Sequence, residues 1–114
     1  MSARARSGAA ALRTRASVFA ALGDETRLSV LARLANGKEQ SISRLTAGTQ
    51  LTRQGMTKHL HVLEEAGVVR SVRAGRESLF ALEPGPIDDA RAYLERVSRQ
   101  WDDALARLKS FVEE

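Results

Sequence analysis

TRQGMTKHLHVLEEAGVVR, residues 52–70, holds two periodicities on either side of one glycine. Up to Ala66 the period is helical. Met56, Leu60 and Leu63 recur at i, i+4 and i+7 and share a face that must pack. Gln54, Thr57, Lys58 and His61 recur at i, i+3, i+4 and i+7 on another side, which stays free to make contacts of its own. Gly67 closes this helix, expected over residues 53–66, and Val68-Val69 starts a β-type run at once. A helix with one packing face and one presented polar face, feeding directly into a strand, is the piece around which the other segments arrange.

Upstream, Ser41 caps a short third helix carrying Ile42 and Leu45, and Gly48 to Leu51 turn into the fourth, which is helix-turn-helix spacing. Asp24 caps a second helix with Leu28, Leu31, Ala32 and Ala35 on one side, ended by Asn36-Gly37. Before it, Leu12, Ala16, Phe19 and Leu22 mark the face of a first helix, and residues 1–11 read as a flexible basic arm. Downstream, residues 68–72 and 78–82 form a hairpin around the basic tip Arg73-Ala74-Gly75-Arg76-Glu77. Pro86 then opens a last helix, expected over residues 86–112 and about 40 Å long. Along it Ala90, Leu94, Val97, Trp101, Ala104, Leu108 and Phe111 alternate steps of four and three, a heptad seam flanked by Tyr93, Leu105 and Val112. A body of this size does not cover such a helix, so its surplus is expected at a subunit interface. The expected fold is mainly α: a winged helix-turn-helix over residues 12–114, with a two-stranded β wing and a long C-terminal dimerisation helix.

Composition bounds the function. A chain of 114 residues, 43% hydrophobic and 28% charged, is sized for one globular domain. The absence of cysteine removes disulfides, thiolate metal sites and cysteine nucleophiles. No apolar run approaches the roughly 20 residues of a membrane span, so a cytoplasmic location is expected. Residues 1–23 hold four arginines and no acid, residues 24–83 nine bases and seven acids, residues 84–114 five bases and seven acids. The basic excess is N-terminal and central, a distribution that attracts polyanions.

Two stretches carry a family resemblance. Phe19-Ala20-Ala21-Leu22-Gly23-Asp24-Glu25-Thr26-Arg27-Leu28 resembles an F-x-A-L-x-D-x-T-R-L opening, and residues 57–69 resemble an S/T-x-H-L-x-x-L-x-x-A-G-L-V recognition helix with wing entry. Both are similar to the ArsR/SmtB family of bacterial dimeric repressors. The resemblance implies a winged-helix homodimer that binds double-stranded operator DNA and releases it on a signal. It also exposes a departure. The C-V-C-D-L motif of the metalloid-sensing branch falls on Ser41-Ile42-Ser43-Arg44-Leu45, and a hydroxyl is no soft-metal ligand. The family's other metal site needs histidine on the last helix, where residues 84–114 have none. His59 and His61, two apart on a helix, point about 200° apart and do not chelate one ion. No metal, no cofactor and no catalytic residue is expected, and the identity of any effector stays open.

Within that frame Arg53, Gln54, Thr57 and Lys58, with Thr52 before them, occupy the turns that enter a major groove, where Arg reads guanine and Gln reads adenine. His61, Arg70, Arg73 and Arg76 are further DNA contacts, the three arginines on phosphates or in a minor groove. Leu12, Phe19, Leu94, Val97, Trp101, Leu105, Leu108 and Phe111 are the expected dimer contacts. His59 is expected to be packed and hydrogen-bonded. The leading function is a sequence-specific homodimeric repressor; the alternative is a winged-helix protein-interaction adaptor that does not bind DNA specifically.

Overall fold

Side-chain caps decide where the helices begin. In the computed structural model, which describes the backbone of residues 3–113 and the side chains of residues 8–113, α1 spans Ala3–Leu22 and α2 Glu25–Leu34. The Asp24 carboxylate accepts the Arg27 N–H at 2.9 Å and so starts α2. Strand β1, Gln40–Ser41, leads into α3, Ile42–Thr46, whose first turn is capped by the Ser41 hydroxyl accepting the Arg44 N–H at 3.2 Å. Helix α4, Arg53–Glu65, starts on the Thr52 hydroxyl, which accepts the Gly55 N–H at 3.0 Å. It ends at Gly67, whose φ of 78° is the left-handed conformation a helix terminus requires. Strands β2, Val69–Ala74, and β3, Glu77–Leu82, follow, then α5, Pro84–Glu113.

The three strands form one antiparallel sheet in the order β1-β3-β2, with Val69 opposite Leu82, Ala74 opposite Glu77 and Gln40 opposite Phe80. A two-residue loop joins β2 to β3, and its first residue, Gly75, has the positive φ of 63° that a type II′ hairpin turn requires. The core lies between α1, α2, α3, α4 and the base of the sheet. Val18, Leu34, Leu45, Met56, Leu60, Leu63 and Val68 are its most completely enclosed side chains. The packing face expected for α4 is therefore the one that packs.

Arginines tie the helices together. The Arg27 guanidinium donates from Nε to the Ala21 carbonyl at 2.7 Å and from Nη2 to the Ala20 carbonyl at 3.3 Å, closing the end of α1. Arg33, near the end of α2, donates to the carbonyls of Leu45 at 2.7 Å and Arg44 at 2.8 Å. Those are terminal carbonyls of a five-residue helix, groups its own backbone leaves unsatisfied. Between α1 and α5, Arg15 Nε pairs with the Asp89 carboxylate at 3.0 Å, and the Phe19 and Tyr93 rings lie 6.1 Å apart. The hydrogen bond from Arg15 holds the Asp89 carboxyl below its usual range.

Several expectations change. The arm placed at residues 1–11 is helical over its described part: α1 begins at Ala3, and the high helix propensity of Ala9-Ala10-Ala11-Leu12 offsets the glycine at position 8. The wing sheet has a third strand, because the extended residues before the α3 cap pair with the free edge of β3. Helix α2 buries Val30, Leu31 and Leu34, whereas Leu28 is half exposed and Ala32 and Ala35 face outward. In α1 the enclosed residues are Val18 and Ala21, while Leu12 and Ala16 are exposed. Helix α5 starts two residues early, at Pro84, a residue suited to a first helical turn because that turn's N–H has no intrahelical acceptor. Thirty residues long, α5 buries only Ala90 and carries the molecule out to 66 × 37 × 23 Å. The radius of gyration is 18.7 Å, against about 13 Å for a compact chain of this length. No helix among the described residues is long and apolar enough to cross a membrane.

Candidate nucleic-acid interface

The polar side of α4 is presented because its opposite side is consumed by the core. Met56, Leu60 and Leu63 are at most 1% exposed, and that fixes the helix's rotation. Thr52, Arg53, Gln54, Thr57, Lys58 and His61 consequently all face solvent. The Thr57 hydroxyl donates to the Arg53 carbonyl at 2.8 Å, which leaves its oxygen free to accept from a ligand. His61 Nε2 sits 3.1 Å from a Glu65 carboxylate oxygen, one turn further along the helix. His59 turns the other way. It is half-buried, with Nδ1 3.4 Å from the Arg27 guanidinium and 3.7 Å from the Asp24 carboxylate, a structural position between α2 and α4. The Asp24 carboxyl is held below its usual range, first by the Arg27 backbone N–H and then by the charges of Arg27 and His59.

The wing separates its three arginines. Arg73 and Arg76, at the turn, line one cleft together with Arg53 at the start of α4 and with Ser41, Ile42, Ser43, Glu77 and Ser78. Arg70 stands at the foot of the hairpin opposite Ala81, pairs with Glu83 at 3.2 Å and lines a different hollow beside α2. Residues far apart in sequence thus meet in one place: the first turn of α4, the wing tip and the entry to α3. The sequence marks Ser41 as the cap of α3 and Ser43 only as a position where a thiolate motif is missing, and it does not single out Ser78. Their shared cleft has no local signal, since it exists only once the wing folds back beside α3.

The expected dimer contacts divide as well. Leu12, Leu94, Trp101, Leu105, Leu108 and Phe111 are between 52% and 78% exposed, and Val112 lies beside them. Val97 is half-buried. Phe19 is half-buried too, packed within its own chain against Tyr93, over whose ring the Arg15 and Arg96 guanidiniums lie at 5.2 and 5.8 Å. Among the described residues no three His, Asp or Glu side chains converge as metal ligands.

The helix-turn-helix domain family matches residues 22–72, the span from the end of α1 into the first wing strand. An uncharacterized HTH-type transcriptional regulator of Bacillus subtilis (strain 168), YuzN, is 37% identical over 76 residues, which are 61% of this chain and 83% of YuzN. The solved structure of an ArsR-like transcriptional regulator from Rhodococcus sp. RHA1 is 37% identical and superimposes with a TM-score of 0.78, covering 90% of this chain and 95% of that one. The chain belongs to the ArsR family. This ArsR-family protein is a winged helix-turn-helix transcriptional regulator, and the relatives it matches are regulators, not enzymes. Its cysteine-free sequence sets it apart from the family's thiolate metal sensors. A homodimeric winged helix-turn-helix DNA-binding domain from Mycobacterium bovis is 27% identical to it, with a TM-score of 0.66 over 92% of this chain and 91% of that one.

Proposed function

We propose that the chain is a homodimeric, sequence-specific repressor that binds operator DNA through α4 and the wing tip. It controls its own promoter and is released by a signal that involves neither thiolate nor metal, or by none. One observation carries the DNA contact: Arg53, Arg73 and Arg76 line the same cleft while the adjoining face of α4 is exposed. A recognition helix reads base edges with its first turns, and cations beside it hold phosphates. Gln54 suits adenine N6 and N7, and Arg53, which shares its cleft with the wing-tip arginines, suits a backbone phosphate beside them. Lys58, His61 and the wing-tip arginines suit backbone phosphates, and Arg70, paired with Glu83, takes a lesser part.

Dimerisation follows from the outer half of α5. A row of large apolar side chains at heptad spacing on one helix is complementary to its own copy, and an isologous pair buries it at no new cost in design. The M. bovis relative is homodimeric, in line with this reading. Twofold symmetry sets two α4 helices about one DNA turn, roughly 34 Å, apart, so the operator is an imperfect palindrome. The test is fluorescence anisotropy with a duplex selected by the protein from a random library, and with a scrambled duplex of the same length. Nanomolar binding of the first, lost in the Arg53→Ala/Lys58→Ala double variant, is the expected result. Equal affinity for both duplexes, or an unaffected double variant, refutes the proposal.

A further inference from the structure

The cleft between the α3 entry, the first turn of α4 and the wing tip has a volume of about 380 Å³. Of its eight lining residues only Ile42 is apolar, and three are arginines. Among the described residues none of Arg53, Arg73 and Arg76 pairs with an acid; Glu77, also in the lining, is the one carboxylate against three guanidiniums. Three guanidiniums against one carboxylate leave the lining with an excess of positive charge, and those like charges repel one another until an anion enters. Guanidinium forks match phosphoryl oxygens two at a time. Ser41 accepts the Arg44 N–H, so its hydroxyl hydrogen remains free to donate, and Ser43 and Ser78 add further hydroxyls to the lining.

We propose that this cleft seats a free, multiply charged phosphoryl compound, and that the compound competes with operator DNA for Arg53, Arg73 and Arg76. The inference rests on the DNA-binding reading above and adds an effector to it. A backbone phosphate has the same chemistry and meets the same arginines, so both ligands cannot be held there at once. Volume separates the two sources: one backbone phosphate leaves most of the cleft unfilled, whereas 380 Å³ lies within the range of about 300–1,000 Å³ typical of small-molecule sites. At a concentration of about 100 times its Kd, a competitor of this kind lowers apparent DNA affinity about 100-fold.

Pyrophosphate is the probe, added to the full chain at ionic strength held constant with sodium chloride. The arginine Nε–H resonances are followed by NMR, and the selected duplex is followed by anisotropy. The expected result is a saturating shift of Arg53, Arg73 and Arg76, with Arg99 and Arg107 on α5 unmoved. Arg53→Ala should weaken pyrophosphate binding about tenfold and Arg99→Ala should leave it unchanged. Arg53→Lys, which keeps the charge but loses the fork, should fall between them. Pyrophosphate should displace the duplex with the constant measured by NMR. Shifts that fail to saturate, or that spread equally over the α5 arginines, overturn the proposal as mere screening. If the duplex moves the three signals and pyrophosphate does not, the cleft holds backbone phosphate alone: the effector is overturned and the DNA reading stands. If pyrophosphate saturates the cleft while no duplex binds, competition is overturned and the DNA reading fails with it.

Discussion

Removing the two wing-tip arginines should change how steeply DNA binding depends on salt. Each protomer presents four exposed cations, Arg53, Lys58, Arg73 and Arg76, whereas Arg70 is engaged by Glu83. The proposed dimer would therefore set about eight cations against phosphates, and at about 0.9 counterions released per neutralised phosphate the log-log slope against salt is about −7. Between 50 and 200 mM salt that slope costs about four orders of magnitude in affinity. The Arg73→Ala/Arg76→Ala variant takes four cations from the dimer, so its slope should be about −3.6 and the loss over the same range about 150-fold. Arg70→Ala should leave the slope close to that of the parent. The measurement is anisotropy of the selected duplex across a sodium chloride series, with thermal unfolding of each variant as the control for folding. A double variant whose slope equals the parent's, or an Arg70→Ala slope that falls further than the double variant's, refutes the placement of the wing tip on DNA.

Other variants probe the fold and the assembly. Leu63→Ala removes a fully enclosed side chain from the packing face of α4 and should cost about 3 kcal/mol in urea unfolding; a loss below about 1 kcal/mol contradicts that burial. Gly75→Ala meets no atom within 4 Å, so its cost, about 1–2 kcal/mol, is conformational, and Gly75→Asn should restore part of it. Leu105→Glu lies on exposed surface of the protomer and should leave its folding intact while raising the dimer dissociation constant at least about 100-fold by sedimentation; a persisting dimer places the seam elsewhere. Asp24, whose carboxyl is depressed by the N–H it caps, stabilises the fold above the ordinary carboxylate range and loses that contribution as pH falls through its folded value. Asp24→Asn keeps an N-cap without the titration, so its unfolding midpoint should vary less with pH below about 4, and parallel pH profiles would count against the cap's role.

What could be read in the sequence was what local chemistry controls. Asp24 and Ser41 announce their helices because each bonds a backbone N–H three residues on, within one turn. The face of α4 was legible because three large apolar residues agree on it. Helix α2 was harder: ten residues carry apolar side chains on more than one side, and only tertiary packing chooses Val30 and Leu34 over Leu28. Strand β1 leaves no trace of its own, since two residues become a strand only when β3 offers an edge. The separation of Arg70 from Arg73 and Arg76 depends on Glu83, thirteen positions beyond Arg70, and the cleft depends on segments that meet only in three dimensions. Candidate contact residues were thus readable one by one, and their grouping was not.

Arg33 gives α3 a borrowed end. A helix of five residues is too short to hold itself in water, and the carbonyls that Arg33 receives are those its last turn would otherwise leave to solvent. Opening α3 therefore means breaking charge-assisted bonds to α2, so the two should exchange their amide hydrogens as one cooperative block and not as a soft loop beside a hard helix. The α2–α3 pair then moves as a stiff tile. A signal that redirects it has to tilt the tile as a whole, at the α1–α2 bend that Arg27 staples or along the α1–α5 contact, because α3 does not open without releasing Arg33 of α2.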